Sequence, residues 1–134
     1  MVKLIADLLV DSKYQRPRFH AAFILYFLII VLGSIPHARA EMGNIAAGFV
    51  LHSVAYSVIT YLLFTGSNGS RMVKSIRAFF IVVLMGAFDE YVQTFFPYRN
   101  AAISDLLVDS GASFITAVLL LKMGTLQPGS RHER

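Results

Sequence analysis

Four stretches of this chain read as candidate membrane spans, and no other feature limits its fold so severely. A hydrocarbon core of ~30 Å takes about 20 helical residues. A chain inside it must satisfy its own backbone hydrogen bonds, which leaves helices or a closed barrel. The four runs are Phe19 to Ile35, closed by Pro36; Ile45 to Phe64, closed by the turn sequence "TGSNGS"; Ala78 to Phe96, closed by Pro97; and about Ala101 to Met123, closed by Gly124. Short links predict antiparallel neighbours. The expectation is an all-α polytopic membrane protein: four transmembrane helices in an antiparallel bundle, with residues 1–134 as a single domain.

Composition agrees. The chain is 56% hydrophobic and 15% charged over 134 residues, too apolar for an ordinary soluble domain of this length. It has no Cys, which removes disulfides, thiolate metal ligands and thiol nucleophiles. The net charge of +4 does not point to nucleic acid, because the bases lie between the apolar runs, as in membrane proteins. The first apolar run follows "DSKYQRPR" and lacks a well-placed cleavage site, so it reads as a span rather than a secretory signal. In residues 1–13, Val2, Ile5, Leu8 and Leu9 recur at helical spacing. That segment is too short to span, and it suits a short interfacial helix or a frayed tail.

Lys and Arg orient the spans. Ten bases fall in the N-terminal segment, the second link and the C-terminal end, against only Arg39 and Arg99 in the other two links. Both termini are therefore expected in the cytoplasm, with the His37 and Arg99 links facing outward.

Four of the eight acids, Asp89, Glu90, Asp105 and Asp109, lie within or at the edge of apolar runs. Given the orientation, Asp89 lies seven residues below the outer end of the third run, ~10 Å deep at ~1.5 Å per residue. His52 and Asp109 lie at similar depths. At ~100° per residue, Gly86, Asp89, Glu90, Gln93 and Pro97 share one face of the third helix. Asp105, Asp109, Ala112 and Thr116 share a stripe on the fourth, and Gly48, His52 and Tyr56 recur on the second. Polar and small residues on a common face mark helix contacts rather than lipid contacts. A charge in lipid costs about 2.5–3.5 kcal/mol even on the lenient insertion scale, so these groups are expected to face inward and form a polar pocket open to the outer side.

The motif "DEYVQTFFPYR" followed by "SDLLVDSGA" resembles the VanZ-like family of small bacterial membrane proteins. The family pattern is an acid, then Gln, then Pro-x-Arg, then Ser-Asp, then a polar residue and Gly. Glu90, Gln93, Pro97, Arg99, Asp105 and Gly111 stand at the matching places. His52 and Tyr56 match an upstream His and Tyr four residues apart. The likeness covers about Arg18 to Leu121. The family usually has Asn where this chain has Asp109, so this chain carries an added negative charge there. The family's namesake is linked to resistance to teicoplanin, a glycopeptide acting on cell-wall precursors outside the membrane. The resemblance implies fold, placement in the bacterial cytoplasmic (inner) membrane and a shared site, but no reaction, and resistance is not carried over.

The candidate ligand-binding residues are therefore Asp89, Glu90, Gln93, Arg99, Asp105, Asp109, His52 and Tyr56. Arg99 would act as a planar anion clamp. Each also has a structural reading: Asp105 suits the N-terminal helix dipole, His52 and Tyr56 suit an interhelical hydrogen bond, and Glu90, Gln93 and Arg99 could tie two helices together. Chemistry would need an acid/base pair such as Glu90 and His52, and the sequence favours binding over catalysis. No nucleophile elbow, phosphate loop or facing His pair is present. No cofactor is expected. If a divalent cation were held, Glu90, Asp105 and Asp109 would supply the oxygen ligands.

Three functions fit. The first is a protein that binds or modifies a lipid or lipid-linked cell-envelope glycan at the outer leaflet. The second is a non-catalytic scaffold or accessory subunit of an envelope-polysaccharide or antibiotic-resistance system. The third is a small ion-coupled transporter, which four spans without an inverted repeat support least. Expected partners are membrane lipid or lipid-linked glycan, with a homo-oligomer or envelope-assembly proteins left open.

Overall fold

The computed structural model describes residues 11–36, 48–97 and 103–123. After a 3-10 turn at Ser12–Tyr14, four helices follow: α1 Gln15–Gly33, α2 Gly48–Gly66, α3 Arg71–Gln93 and α4 Ile103–Met123. No strand occurs among the described residues. Of the expected interfacial helix, residues 1–10 lie outside this set.

Three segments, Ser12–Gly33, Gly48–Gly66 and Ile103–Met123, are long and apolar enough to cross a membrane. α3 is the longest helix, at 23 residues, but its charges at Arg71, Lys74, Arg77, Asp89 and Glu90 set it apart from the other three. The bundle wears its apolar residues outside. Phe27, Phe80, Leu84 and Leu107 are each more than half exposed, while the core is small: Ala22, Tyr56, Ile59, Leu63, Ala78, Val82 and Met85. Such an apolar surface would drive association in water, and it fits a membrane protein.

Helix ends differ from the ends of the apolar runs. α3 starts at Arg71, seven residues before the apolar run at Ala78, because the Ser70 hydroxyl accepts a bond from the Val73 N–H at 3.3 Å and caps an otherwise orphaned turn. The chain reaches Ser70 through Gly69, whose φ of +117° suits glycine. α2 continues through Gly66, so the first two residues of the expected turn "TGSNGS" belong to the helix. α3 stops at Gln93, three residues before the expected end at Phe96.

Side-chain bonds set the helix directions. The start of α1 meets the end of α2, where Arg18 donates to the Thr65 carbonyl at 3.1 Å and Gln15 to the Ser67 carbonyl. These are C-terminal carbonyls that α2 leaves unpaired, and a cation is favourable there. α3 and α4 run oppositely: Gly86 abuts Asp109, and the Ser75 hydroxyl donates to the Ala117 carbonyl at 3.2 Å. α2 and α4 run the same way, with His52 beside Asp109 and Thr60 beside Ser113.

This arrangement sorts charge. All seven described Lys and Arg residues lie towards the end formed by the starts of α1 and α3 and the ends of α2 and α4. Four of the five described acids lie towards the other end, and only Asp11 sits with the bases.

Between the ends, Thr60 Oγ1 lies 2.9 Å from Ser113 Oγ and 2.7 Å from the Tyr56 carbonyl. The Tyr56 carbonyl only accepts, so both contacts are served when Thr60 donates to it and Ser113 donates to Thr60 Oγ1. Thr60→Val keeps the shape and removes the link. The expected loss is about 0.6 kcal/mol, and no more than ~1.7, the range for interhelical bonds in membrane proteins. Unfolding of the purified protein in mixed micelles would measure it; a loss well above that range would mean that the pair anchors a wider network.

Candidate functional site

The polar residues at the acidic end come from three helices. α4 contributes Asp109, 1% exposed. It sits this deep because α3 presents Gly86 opposite: a Cβ there would lie 3.4 Å from Asp109 Oδ2 and 3.0 Å from a Leu106 methyl. α2 contributes His52, whose Nδ1 lies 2.9 Å from Asp109 Oδ1. A carboxylate only accepts, so Nδ1 carries the proton in this bond. The His52 ring stacks on Tyr56, with centroids 6.0 Å apart and planes 13° from parallel.

α3 contributes Asp89 and Gln93, both buried, and Glu90, half-buried. The Gln93 amide nitrogen donates to Asp89 Oδ2 at 3.1 Å and to Glu90 Oε1 at 3.4 Å. Two carboxylates fix the amide orientation, since a flipped amide would set its oxygen against both. Asp89 and Asp105 are close enough to act electrostatically on both His52 and Asp109, and Tyr56 feels Asp109, Asp89 and Glu90. Two groups, Gln93 with Asp89 and Glu90 on α3 and Asp109 with His52 and Tyr56 across α4 and α2, therefore share one polar layer.

Three atoms in that layer are buried without a hydrogen-bond partner among the described residues: Tyr56 Oη, Gln93 Oε1 and Asp109 Oδ2. One is a hydroxyl that can donate and two are acceptors, and each comes from a different helix. A buried polar group without a partner costs about 1–3 kcal/mol and calls for an explanation.

Seven of the eight sequence candidates thus fall in or beside one layer. Arg99 lies outside the described residues, as does His37. His52 takes Asp109 as its carboxylate, not Glu90, the expected acid/base partner. The stripe on α4 also differs: Asp109, Ser113 and Ala117 are buried, whereas Ala112 and Thr116 are half-buried. Gly48 is exposed, with no atom within 4 Å of a built Cβ, so the expected α2 face begins only at His52. Among the described residues, no three His, Asp or Glu side chains converge as a metal ion would need, and Glu90, Asp105 and Asp109 form no such group. Sequence reasoning missed Tyr26, which ties α1 to α3 by donating to the Met85 carbonyl at 2.7 Å. Its signal was a hydroxyl in the middle of an otherwise apolar run.

A family model described as VanZ/LLP1 matches residues 5–124 of the chain. No curated protein and no solved structure matches it.

Proposed function

The chain belongs to the VanZ/LLP1 family, and on that premise we propose that it is a four-span protein of the bacterial cytoplasmic membrane whose acidic-end layer binds a lipid or lipid-linked envelope glycan from the outer leaflet. α3 serves as the fourth span, with its bases at one membrane surface and Asp89 and Glu90 turned into the bundle. The basic end, with both termini, faces the cytoplasm under the positive-inside rule.

One observation carries the reading: the unpartnered Tyr56 Oη, Gln93 Oε1 and Asp109 Oδ2. Together they offer one donor and two acceptors in a layer rich in carboxylates. Such a layer repels a phosphate and suits a group rich in donors, namely sugar hydroxyls or a headgroup amine. We read the layer as a binding site rather than a catalytic one, because among the described residues the close acid and His pair, Asp109 with His52, also holds α2 to α4.

Tyr56→Phe tests this with a signature that a purely structural role would not give. It removes a buried hydroxyl that has no hydrogen-bond partner among the described residues, so thermal stability should hold or rise. Retention of the co-purifying lipid or glycolipid, read by native mass spectrometry with lipid identification, should fall about three- to tenfold. Stable protein with unchanged retention would overturn the reading. So would Tyr56→Phe unfolding more easily in lipid-free detergent, which would move the layer to helix packing and favour the accessory-subunit role.

A further inference from the structure

At the opposite end of the bundle lies a cavity of about 250 Å³ that the acidic-end site does not touch. We propose that it holds a phosphate group, and that the phosphate belongs to an anionic phospholipid of the leaflet at the basic end.

Three cations line the cavity: Arg18 from α1, and Arg71 and Lys74 from α3. Gln15, Tyr61 and Ser12 add polar groups, and no carboxylate lines it among the described residues. Asp11 is near in sequence, but its carboxylate accepts the Lys13 N–H at 2.9 Å. Neither Arg71 nor Lys74 has an acid partner among the described residues.

Position strengthens the field. Arg71 and Lys74 occupy the first turn of α3, which contains no acid. That turn carries the positive end of the helix dipole, where cations are unfavourable and an anion is stabilised. Two cations against the dipole, Arg71 and Lys74 at the cavity wall, form a charge arrangement that a bound anion completes. Arg18 is also fixed in place, since its guanidinium donates to the Asp11 carbonyl at 2.8 Å and the Thr65 carbonyl at 3.1 Å. A pinned guanidinium is pre-organised for phosphate oxygens, and little further entropy is lost on binding.

The source follows from location. The cavity sits where the apolar segments Ser12–Gly33 and Gly48–Gly66 begin and end, which is the level of lipid headgroups. Its volume of about 250 Å³ is enough for a phosphate and part of its hydration shell. Basic pockets between transmembrane helices are suited to anionic headgroups.

The test uses the full chain in nanodiscs of mixed phosphatidylglycerol and phosphatidylcholine. Native mass spectrometry would compare the wild type with the double variant Arg71→Gln, Lys74→Gln. Arg71 is exposed and Lys74 half-buried, and both should be replaceable without unfolding, whereas Arg18 holds α1 to α2 and is left intact. The wild type should retain phosphatidylglycerol selectively. The double variant should bind it roughly thirtyfold more weakly, as expected for two bases at a membrane surface. In a second arm, inorganic phosphate is titrated into detergent-solubilised protein and followed by phosphorus NMR. Broadening lost in the double variant, without phosphatidylglycerol selectivity, would keep the phosphate site but overturn the lipid source. Equal lipid retention by both proteins with no broadening would overturn the site itself. Tyr56→Phe should leave phosphatidylglycerol retention unchanged, so this proposal and the acidic-end reading can fail separately.

Discussion

Gly66→Val should prevent α1 from seating on α2. A Cβ at Gly66 would lie 2.5 Å from the Phe19 backbone nitrogen and 2.8 Å from its Cα. The obstacle is main chain, so no rotamer change relieves it, and one helix must retreat along its length. Retreat would also pull Arg18 from the Thr65 carbonyl and Gln15 from the Ser67 carbonyl. Overpacking costs about 1–3 kcal/mol where side chains can adjust, and occasionally more; here the expected loss is ~3 kcal/mol or above. Gly66→Ala should already show much of it, because the clash is with the first added carbon. The control is Gly48→Ala, where a Cβ has no atom within 4 Å; Gly48 opens α2, so the gain should fall below the ~0.5–1 kcal/mol of a mid-helix glycine. Denaturation of the purified variants in mixed micelles reads all three. A Gly66→Val protein that unfolds like the wild type would mean that α1 and α2 do not meet there.

The existence of the helices was legible in the sequence because hydrocarbon thickness dictates run length, but their ends were not. An apolar run marks where lipid begins, whereas a helix ends where its backbone loses caps. For α3 these points differ by seven residues, since Ser70 starts the helix and Arg71, Lys74 and Arg77 precede the apolar run. The polar layer was legible as a depth, because seven residues from a membrane surface is the same distance on any helix. Its pairing was not. Three carboxylates stood at comparable depth, and which one His52 meets depends on the rotation of α2 against α4. The same limit explains the α4 stripe: Ala112 and Ser113 lie three and four residues from Asp109, about equally close to its face at 3.6 residues per turn, and the facing Thr60 selects Ser113. The basic cavity was hidden for another reason. Arg18 and Arg71 are 53 positions apart in the sequence, and counting bases gives a topology without showing that three of them converge.

The His52 and Asp109 pair should show strong non-additivity. His52→Ala leaves Asp109 at 1% exposure without its donor. Removing one member of a buried pair costs about 3–5 kcal/mol, because the survivor remains desolvated and unpaired. Asp109→Leu should cost less, since the His52 side chain is 21% exposed and can turn towards the headgroup layer. The double variant His52→Ala, Asp109→Leu strands neither partner. Its loss should fall short of the summed single losses by at least ~2 kcal/mol, within the range for residues in contact. Additivity to within ~0.5 kcal/mol would mean that the two side chains do not pair. Asp109→Asn should be the mildest change, because an amide oxygen still accepts from Nδ1 and no charge is left at that position. The cycle also separates packing from ligand binding. Asp109→Asn keeps an oxygen for His52, but its second polar atom becomes a nitrogen donor where Oδ2 was an acceptor. Ligand that depends on Oδ2 should therefore be lost from a protein that still folds, whereas a layer built only for helix packing would lose neither fold nor ligand.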